Sequence, residues 1–181
     1  MIAGEFTGKI VEGVREGKGT LKWANGDEYV GMFKNGLRHG KGLFREKNGR
    51  SYDGAWLVSQ REDGIKDGLG SMGFITGARY EGMWSQGRMH GKGLYIWADG
   101  RRYEGEWVRG ERHGAGMSTM ANGEKHEGGY IHNQMNGAGW WRFTSGKVRP
   151  GEWRDDKLLR WTGPEQFEAQ MKAKRLLKDR K

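Results

Sequence analysis

Three short segments that hold glycines around basic residues are the first candidates for chemistry in this sequence. They read GVREGKG, GLRHGKG and GRMHGKG, and loops of similar composition bind phosphate groups through their backbone N–H groups. A phosphate-binding loop of that kind needs four residues between its glycines, and a hydroxyl residue after its lysine. Here three residues separate the glycines, and glycine follows the lysine in each segment. Because the pattern also recurs along one chain, it predicts hairpin turns and not a nucleotide site.

The five histidines are the next candidates, as metal ligands or general bases. His39, His90 and His113 occupy equivalent positions in similar segments, so we expect them to form a row spaced by about 10 Å. Metal ligands must converge on one ion, which a row of this spacing prevents. We therefore predict that these histidines are turn residues with positive φ, a conformation that histidine tolerates better than most residues. His126 and His132 fall outside the pattern, and no acidic or thiol partners are placed with them.

Two further motifs resemble a cofactor-binding loop and a pair of catalytic carboxylates, but the sequence around them does not favour either role. Residues 68–73, GLGSMG, fit the GxGxxG pattern of dinucleotide-binding proteins, but no βαβ unit surrounds them. Glu104 and Glu106 project from one side of a strand, and no set of nucleophile, base and oxyanion-binding groups accompanies them. The sequence thus predicts a protein that is not an enzyme and has no cofactor and no metal site.

The composition indicates what kind of structure positions these segments. The chain has 34 glycines, 12% aromatic residues and only 34% hydrophobic residues, which favours many turns and a thin sheet buried by large side chains. It has no cysteine, so disulfides are excluded. Its N-terminus lacks the apolar core of a signal peptide, and no apolar run is long enough to span a bilayer. We therefore expect a soluble, cytoplasmic protein.

The chain repeats itself with a period of 23 residues. Similar strand openings begin at Phe6, Tyr29, Tyr52, Tyr80, Tyr103 and His126, with a partial seventh at Arg149. One spacing is 28 residues, because repeat three carries five extra residues around 59–67. Each repeat contains two short strands, a glycine-rich turn between them, and a closing turn such as ANG or ADG. This pattern predicts one β-hairpin per repeat and a continuous antiparallel sheet.

The recurring pattern (Y/F)xGx(W/F/Y)xxGxxHGxG resembles the MORN repeat, the membrane occupation and recognition nexus, over about residues 6–153. The resemblance implies an all-β fold: a single-layer, twisted antiparallel sheet of consecutive hairpins, which we expect over residues 1–161. Some repeats depart from the pattern, with Glu16, Asp67 and Asn136 in place of the usual histidine and His126 in place of tyrosine.

The aromatic residues of the pattern are the predicted partner-binding residues. In YEGEW, alternation places Tyr103, Gly105 and Trp107 on one face, where the glycine leaves space for a neighbouring ring. Ladders of rings would supply burial, and their exposed part would form a groove for a partner. The residues that we assign to this groove are Tyr80, Trp84, Tyr95, Trp97, Tyr103, Trp107, Trp140 and Trp141.

The C-terminal segment, residues 162–181, is predicted to form a basic α-helix. Thr162 and Glu165 have the spacing of a capping box, and Pro164 lies in the first turn. The chain has a net charge of +9, to which eight basic and three acidic residues from Lys157 onward contribute +5. The candidate residues for binding anionic lipid are Lys172, Lys174, Arg175, Lys178, Arg180 and Lys181.

Two functions follow from these features. The favoured one is a non-enzymatic scaffold or adaptor, which presents its groove to a helix or extended peptide of a partner protein. The resemblance to MORN proteins implies a cytoskeletal, ciliary or membrane-associated setting. The alternative is a peripheral membrane module that binds anionic phospholipids, such as phosphoinositides, through basic residues of the repeats and the C-terminal helix. A nucleic-acid role ranks third, because no recognition motif accompanies the basic tail.

Overall fold

The computed structural model describes residues 4–57, 64–165 and 168–169. Its fourteen strands belong to one antiparallel sheet, in which they lie in sequence order. The strands are β1 (Gly4–Val11), β2 (Val14–Trp23), β3 (Glu28–Lys34), β4 (Leu37–Arg45), β5 (Ser51–Leu57), β6 (Ile65–Gly73), β7 (Arg79–Ser85), β8 (Arg88–Ile96), β9 (Arg102–Val108), β10 (Glu111–Thr119), β11 (Lys125–Ile131), β12 (Gln134–Arg142), β13 (Val148–Arg154) and β14 (Lys157–Trp161). The predicted all-β antiparallel sheet of consecutive hairpins is confirmed.

The chain divides into two compact units, Met1–Ala98 and Asp99–Lys181. The first unit contains β1 to β8, and each strand pairs antiparallel with its neighbours in sequence. The second unit contains β9 to β14, paired in the same way. Repeat three keeps its hairpin, since β5 pairs with β6, although residues 58–63 of its insertion lie outside the described part of the chain.

The predicted C-terminal helix is not supported by the described residues. Among the described residues of this segment, 162–165 and 168–169, the helical ones are Pro164, Glu165, Glu168 and Ala169, which are too few to count as an element. Residues 166–167 and 170–181 lie outside the described residues. The six basic residues assigned to lipid binding are among them, so that assignment stays a prediction.

The hairpin turns are shorter than the glycine-rich segments that the sequence pattern assigns to them. In the hairpin of β3 and β4, Asn35 has φ 51° and Gly36 has φ 78°, as a two-residue type I′ turn requires. Equivalent pairs with positive φ join five other hairpins: Glu12–Gly13, Gln86–Gly87, Arg109–Gly110, His132–Asn133 and Asp155–Asp156. The right-handed twist of the strands favours this turn geometry.

The prediction that His39, His90 and His113 are turn residues with positive φ is wrong. They lie inside β4, β8 and β10, and the glycine that follows each histidine takes the left-handed conformation instead, as Gly40 does with φ 58°. The register shifts at this point in β3 and β4, which identifies a β-bulge. Glycine has no Cβ, so it adopts positive φ at a lower cost than histidine does.

Glycines from successive strands face one another in a row across each unit. In the first unit this row runs from Gly8 in β1 to Gly93 in β8, and every strand between contributes one glycine to it. The ring of Tyr80 lies over the last two members of the row. A Cβ added to Gly93 would be 2.5 Å from Cζ of Tyr80, so no larger residue fits beneath the ring.

The tyrosine rings form the core of each hairpin. Tyr52 is 1% exposed, and its ring makes edge contacts with Trp56, at 5.0 Å between centroids, and with Trp84 of the next hairpin, at 5.4 Å. Its hydroxyl donates a hydrogen bond of 3.0 Å to the carbonyl oxygen of Ala55. Tyr80 repeats the arrangement by donating to the carbonyl oxygen of Met83 at 2.9 Å. The fold therefore buries rings on one face of a single layer, where other proteins would place a second layer.

Repeat six replaces this arrangement with a buried polar group. His126 takes the place of tyrosine over Gly128 and Gly139, and it is 0% exposed. Its Nδ1 lies 2.8 Å from Oη of Tyr130, which in turn donates to Oγ of Ser118 at 2.8 Å. Burial lowers the pKa of His126 to about 4, and it raises the pKa of Tyr130 to about 12. His126 is therefore a neutral packing residue at physiological pH.

Candidate partner-binding faces

Strand alternation gives each unit two distinct faces. We call the face of the first unit that carries Tyr29, Tyr52 and Tyr80, and the face of the second unit that carries Tyr103 and His126, the aromatic face of that unit. The other side of each unit is its opposite face. On the aromatic face of the first unit, aromatic side chains on or just after the second strand of each hairpin stay half-buried. These are Trp23, Phe44, Phe74, Tyr95 and Trp97, called here the half-exposed aromatic row.

The residues predicted to line a groove in the first unit divide into two layers. Tyr80 and Trp84 are 0% and 5% exposed, so both belong to the core. Tyr95 and Trp97 are half-buried, and their ring centroids are 4.6 Å apart. Phe74 extends this pair, with its ring 5.6 Å from that of Tyr95. The structure thus brings Tyr95 and Trp97 together at the surface of the aromatic face.

The predicted groove residues of the second unit are separated by the sheet. Tyr103 and Trp107 are 0% and 3% exposed and contact each other in the core. Trp141 is half-buried on the aromatic face, stacked on Trp153 at 6.4 Å between centroids. Trp140 alternates with Trp141, so it lies on the opposite face. Trp140 and Trp141 therefore cannot line the same surface.

Sequence reasoning missed a series of cations on the aromatic faces. In the first unit, the guanidinium carbon of Arg38 is 4.4 Å from the ring centroid of Trp56 and 4.9 Å from that of Phe44. Arg15 takes the equivalent position in repeat one, 5.6 Å from the ring of Phe33. Such distances are typical of cation–π contacts. The signal was present in the sequence, because a basic residue recurs directly before the histidine position of the repeat.

Lys66 is the cation of repeat three, and its surroundings are unusual for an ammonium group. Its Nζ lies 5.3 Å from the ring of Tyr52 and 5.2 Å from that of Trp84. The pKa of Lys66 is lowered to about 8, first by burial and then by the nearby charges of Arg50 and Arg38, whereas Glu46 acts to raise it. The charged form of Lys66 is therefore disfavoured, chiefly by burial and then by neighbouring positive charge.

The aromatic face of the second unit carries two cations of its own. The guanidinium carbon of Arg112 lies 5.6 Å from the ring of Tyr103, and that of Arg149 lies 4.5 Å from the ring of Trp161. Arg149 stands where other repeats have tyrosine, and Trp161 pairs with Gly151, where a glycine would continue the row. The last hairpin thus places a cation on a ring, where the earlier hairpins place a ring on glycines.

The histidines do not assemble a site for metal chemistry. Nδ1 of His132 lies 2.7 Å from Oε2 of Glu111 at an exposed turn, and its ring is 5.9 Å from that of His113. Within residues 4–57, 64–165 and 168–169, no group of three or more metal-binding side chains comes together. Among the same residues, no helix has the length and apolarity needed to cross a membrane.

A sheet of hairpins in which each repeat lays a ring over paired glycines defines a β-hairpin repeat protein. The family model described as the MORN repeat matches residues 6–28, 29–49, 80–101, 103–125 and 126–148. These segments make up well over half of the sequence, and the chain therefore belongs to the MORN-repeat family. Repeat three, which carries the insertion, is not among the matched segments, yet its Tyr52 covers Gly54 and Gly70 as in its neighbours.

Comparison with other proteins adds little to this assignment. No curated protein matches the chain. Among solved structures, a point mutant of the TCP10 domain of Danio rerio CPAP is similar, with 13% sequence identity over 80% of this chain and 71% of that chain. Its TM-score is 0.35, so the likeness is too distant to support an argument about function.

Proposed function

We propose that this chain is a non-enzymatic scaffold or adaptor that holds a segment of a partner protein against the aromatic faces of its hairpins. The observation that supports this role is the half-exposed aromatic row of the first unit. Rings that are fixed from below but keep an edge in solvent lose little conformational freedom when a partner covers them. Tryptophan and tyrosine are also the commonest energetic anchors of protein interfaces.

The two layers of aromatic residues then have different roles. We assign partner contact to Tyr95 and Trp97 in the first unit and to Trp141 in the second unit. The buried rings, such as Tyr80 and Trp107, belong to the core and have almost no free area to offer. Removing a buried ring should therefore unfold a hairpin, whereas removing a surface ring should weaken binding alone.

Capture experiments with matched variants test this function. The full chain would be immobilised and exposed to a cytoskeletal extract, in parallel with Trp97→Ala and Leu69→Ala variants whose folding is verified by circular dichroism. Leu69 is 70% exposed and lies on the opposite face of the first unit, so it is a matched control for loss of an apolar side chain. We expect Trp97→Ala to lose specific proteins that Leu69→Ala retains. Equal retention by both variants, or equal loss, would contradict the proposal.

The setting that we propose is a cytoplasmic assembly of the cytoskeleton or of a cilium. This setting derives from the MORN-repeat membership and not from any side chain described above. Imaging of a fluorescently tagged chain checks it. The expected result is co-localisation with filamentous or axonemal structures, and uniform staining of the cytoplasm would argue against it.

The alternative function, binding of anionic phospholipids, is supported by the net charge of +9. Vesicles that contain phosphoinositides distinguish the two functions, when tested with the full chain and with a chain that lacks residues 163–181. Attraction by a basic tail alone should disappear in the shortened chain and weaken strongly with salt. If the shortened chain still binds the vesicles specifically at physiological ionic strength, the scaffold proposal is wrong.

A further inference from the structure

We propose that the partner segment received by the first unit is an extended, acidic peptide. This inference rests on the proposed scaffold function and adds the chemistry of the partner. It starts from Arg15, Arg38 and Lys66, which occupy the same register position in successive hairpins of the first unit. Each of them pairs with a residue of the first strand that alternation places on the aromatic face, so all of them emerge on that face.

These cations are fixed on rings and are half-buried. Arg38 rests on Trp56 at 4.4 Å, and Lys66 rests between rings that include Trp84 at 5.2 Å. A cation held in this way has given up part of its hydration, so an added carboxylate is screened less by water than it would be at a fully exposed lysine. Arg15, Arg38 and Lys66 are called here the cationic row. The cationic row is therefore better suited to bind anionic groups than the dispersed lysines of the opposite face.

The carboxylates within the strands of the same unit lie on the other side of the sheet. By strand alternation, every acidic residue within strands β1 to β8 is on the opposite face: Glu5, Glu16, Glu28, Asp53, Asp67 and Glu81. Some of them are engaged there, since Oε1 of Glu16 accepts from the backbone N–H of Asn35 at 2.7 Å. On the aromatic side, Glu46 follows β4 and pairs with Arg50 at 3.5 Å. The aromatic face thus has an excess of positive charge.

The ionisation of Lys66 agrees with this excess. After burial, the largest influence that lowers its pKa toward about 8 is the charge of Arg50, and Arg38 acts in the same direction. A carboxylate from a partner would relieve this repulsion and favour the charged form of Lys66. Charge complementarity therefore points to an acidic occupant.

The spacing of the row fixes the pattern of the occupant. Equivalent residues of successive hairpins are two strands apart, which corresponds to about 10 Å. A chain in polyproline II conformation covers about the same distance in three residues and returns every third side chain to one side. Acidic residues at every third position can therefore meet Arg15, Arg38 and Lys66 in turn, while apolar residues between them contact rings such as Phe44 and Trp23.

Other anionic partners fit this arrangement less well. The phosphates of one lipid headgroup lie within a few ångströms of each other, so a headgroup could engage only one member of a row spaced by about 10 Å. Single-stranded nucleic acid would combine stacking on the rings with phosphate contacts, and it is the strongest competitor. Both competitors are therefore included in the test.

The test measures binding of defined probes to the full chain by fluorescence anisotropy. The main probe is a labelled peptide of four Glu-Pro-Leu units, and its matched control has Gln-Pro-Leu units. We expect the glutamate peptide to bind about tenfold more tightly than the glutamine peptide, as loss of charge-assisted contacts predicts. Equal affinity for the two peptides would overturn the proposal, as would tighter binding of an oligothymidine, of phosphoinositide vesicles or of a helical peptide with widely spaced glutamates.

Variants of the cationic row test whether the glutamate peptide binds there. Arg38→Gln and Lys66→Gln should each weaken binding of the glutamate peptide about fivefold to tenfold, whereas Arg38→Lys, which keeps the charge but loses the planar stacking group, should weaken it less than Arg38→Gln does. Lys41→Gln and Lys92→Gln are controls, because both lysines lie on the opposite face and both changes remove one charge. Thermal unfolding of every variant establishes that loss of binding is not loss of folding. Equal weakening by the control variants would overturn the assignment.

The result also separates this inference from the function on which it rests. If the glutamate peptide binds no more tightly than the glutamine peptide while Trp97→Ala still loses captured proteins, the scaffold function stands and the inference of an acidic partner is wrong. If the peptide binds in the expected pattern and Trp97→Ala loses nothing, the cationic row is a binding site but the half-exposed aromatic row is not the partner surface.

Discussion

Tyr80 in the first unit and His126 in the second unit solve the same packing problem in different ways. Both rings lie over a pair of facing glycines, and both side chains are 0% exposed. Tyr80 donates its hydroxyl to the backbone carbonyl oxygen of Met83 at 2.9 Å. His126 instead needs Tyr130 and Ser118, and its Nε2 has no hydrogen-bond partner among the described residues. The glycine pair therefore requires a flat ring above it. The polar atom of that ring determines which neighbouring residues must provide its hydrogen bonds.

The glycine beneath each ring provides the largest expected effect. In Gly93→Ala, the new Cβ would be 2.5 Å from the ring of Tyr80, and the buried ring cannot move away. We expect the free energy of unfolding to fall by about 3 kcal/mol, at the upper end of overpacking costs. Gly139→Ala places its Cβ 2.6 Å from Nε2 of the smaller imidazole, so its cost should be about 1 kcal/mol less. Urea unfolding followed by tryptophan fluorescence measures both.

Gly73→Ala is the control for these two variants. Its Cβ would meet only Oγ of Ser51, at 3.1 Å, and the half-buried position can adjust. We expect a cost below about 1 kcal/mol. If Gly73→Ala and Gly93→Ala were equally destabilising, the ring over the glycines would not be the cause.

The second expected effect is a dependence of stability on pH that arises from His126 in the second unit. Burial lowers the pKa of His126 from 6.5 to about 4, so in this range the unfolded chain binds a proton that the folded chain does not. Stability from this residue is therefore complete above pH 6.5 and is lost as the pH falls toward 4. The loss amounts to about 3 kcal/mol, because each unit of pKa shift corresponds to about 1.4 kcal/mol.

His126→Tyr restores the residue of the other repeats and removes this titration. We expect the stability difference between the variant and the unaltered chain to change by about 3 kcal/mol between neutral pH and about pH 4. His126→Phe, which copies Phe6 of repeat one, gives the same test with a ring that has no hydroxyl. Parallel pH profiles for all three chains would show that His126 does not resist protonation.

The smallest expected effect is the loss of stability when the hydroxyl of Tyr130 or of Tyr80 is removed. Tyr130→Phe removes the oxygen that joins His126 and Ser118, leaving two buried polar groups without it, and should cost about 2 kcal/mol. Tyr80→Phe removes a donor to the backbone carbonyl oxygen of Met83 and should cost about 1 kcal/mol. Chemical denaturation at neutral pH measures both. A larger cost for Tyr80→Phe would reverse the comparison.

Much of the fold could be predicted because the same residue types recur at the same positions of each repeat. The period of 23 residues and the glycine between two rings together define the hairpin and its inward face. The turn is misplaced because His39 and Gly40 look like turn residues, although the pair Asn35–Gly36 is the stronger signal for a type I′ turn. The bulge at Gly40 shows that a glycine with positive φ also occurs inside a strand.

The candidate site was harder to predict because composition does not distinguish a buried ring from an exposed one. Trp84 and Trp97 are both tryptophans of the same repeat, yet only Trp84 lies between tyrosines of neighbouring hairpins. The separation of Trp140 from Trp141 follows from alternation alone and could have been used to exclude one of them. The cationic row is hard to recognise in the sequence because the densest run of basic residues lies in the C-terminal segment.

The sequential order of the strands also has a consequence for how the chain folds. Each hairpin pairs only with hairpins that adjoin it in sequence within its unit, so the contacts of a nascent repeat form with residues made immediately before or after it. Low contact order of this kind favours fast folding and limits the time for which unpaired strand edges are exposed. Folding can begin at any repeat and spread to its neighbours, as in other linear arrays. The chain should therefore be able to acquire structure progressively during synthesis, one hairpin after another.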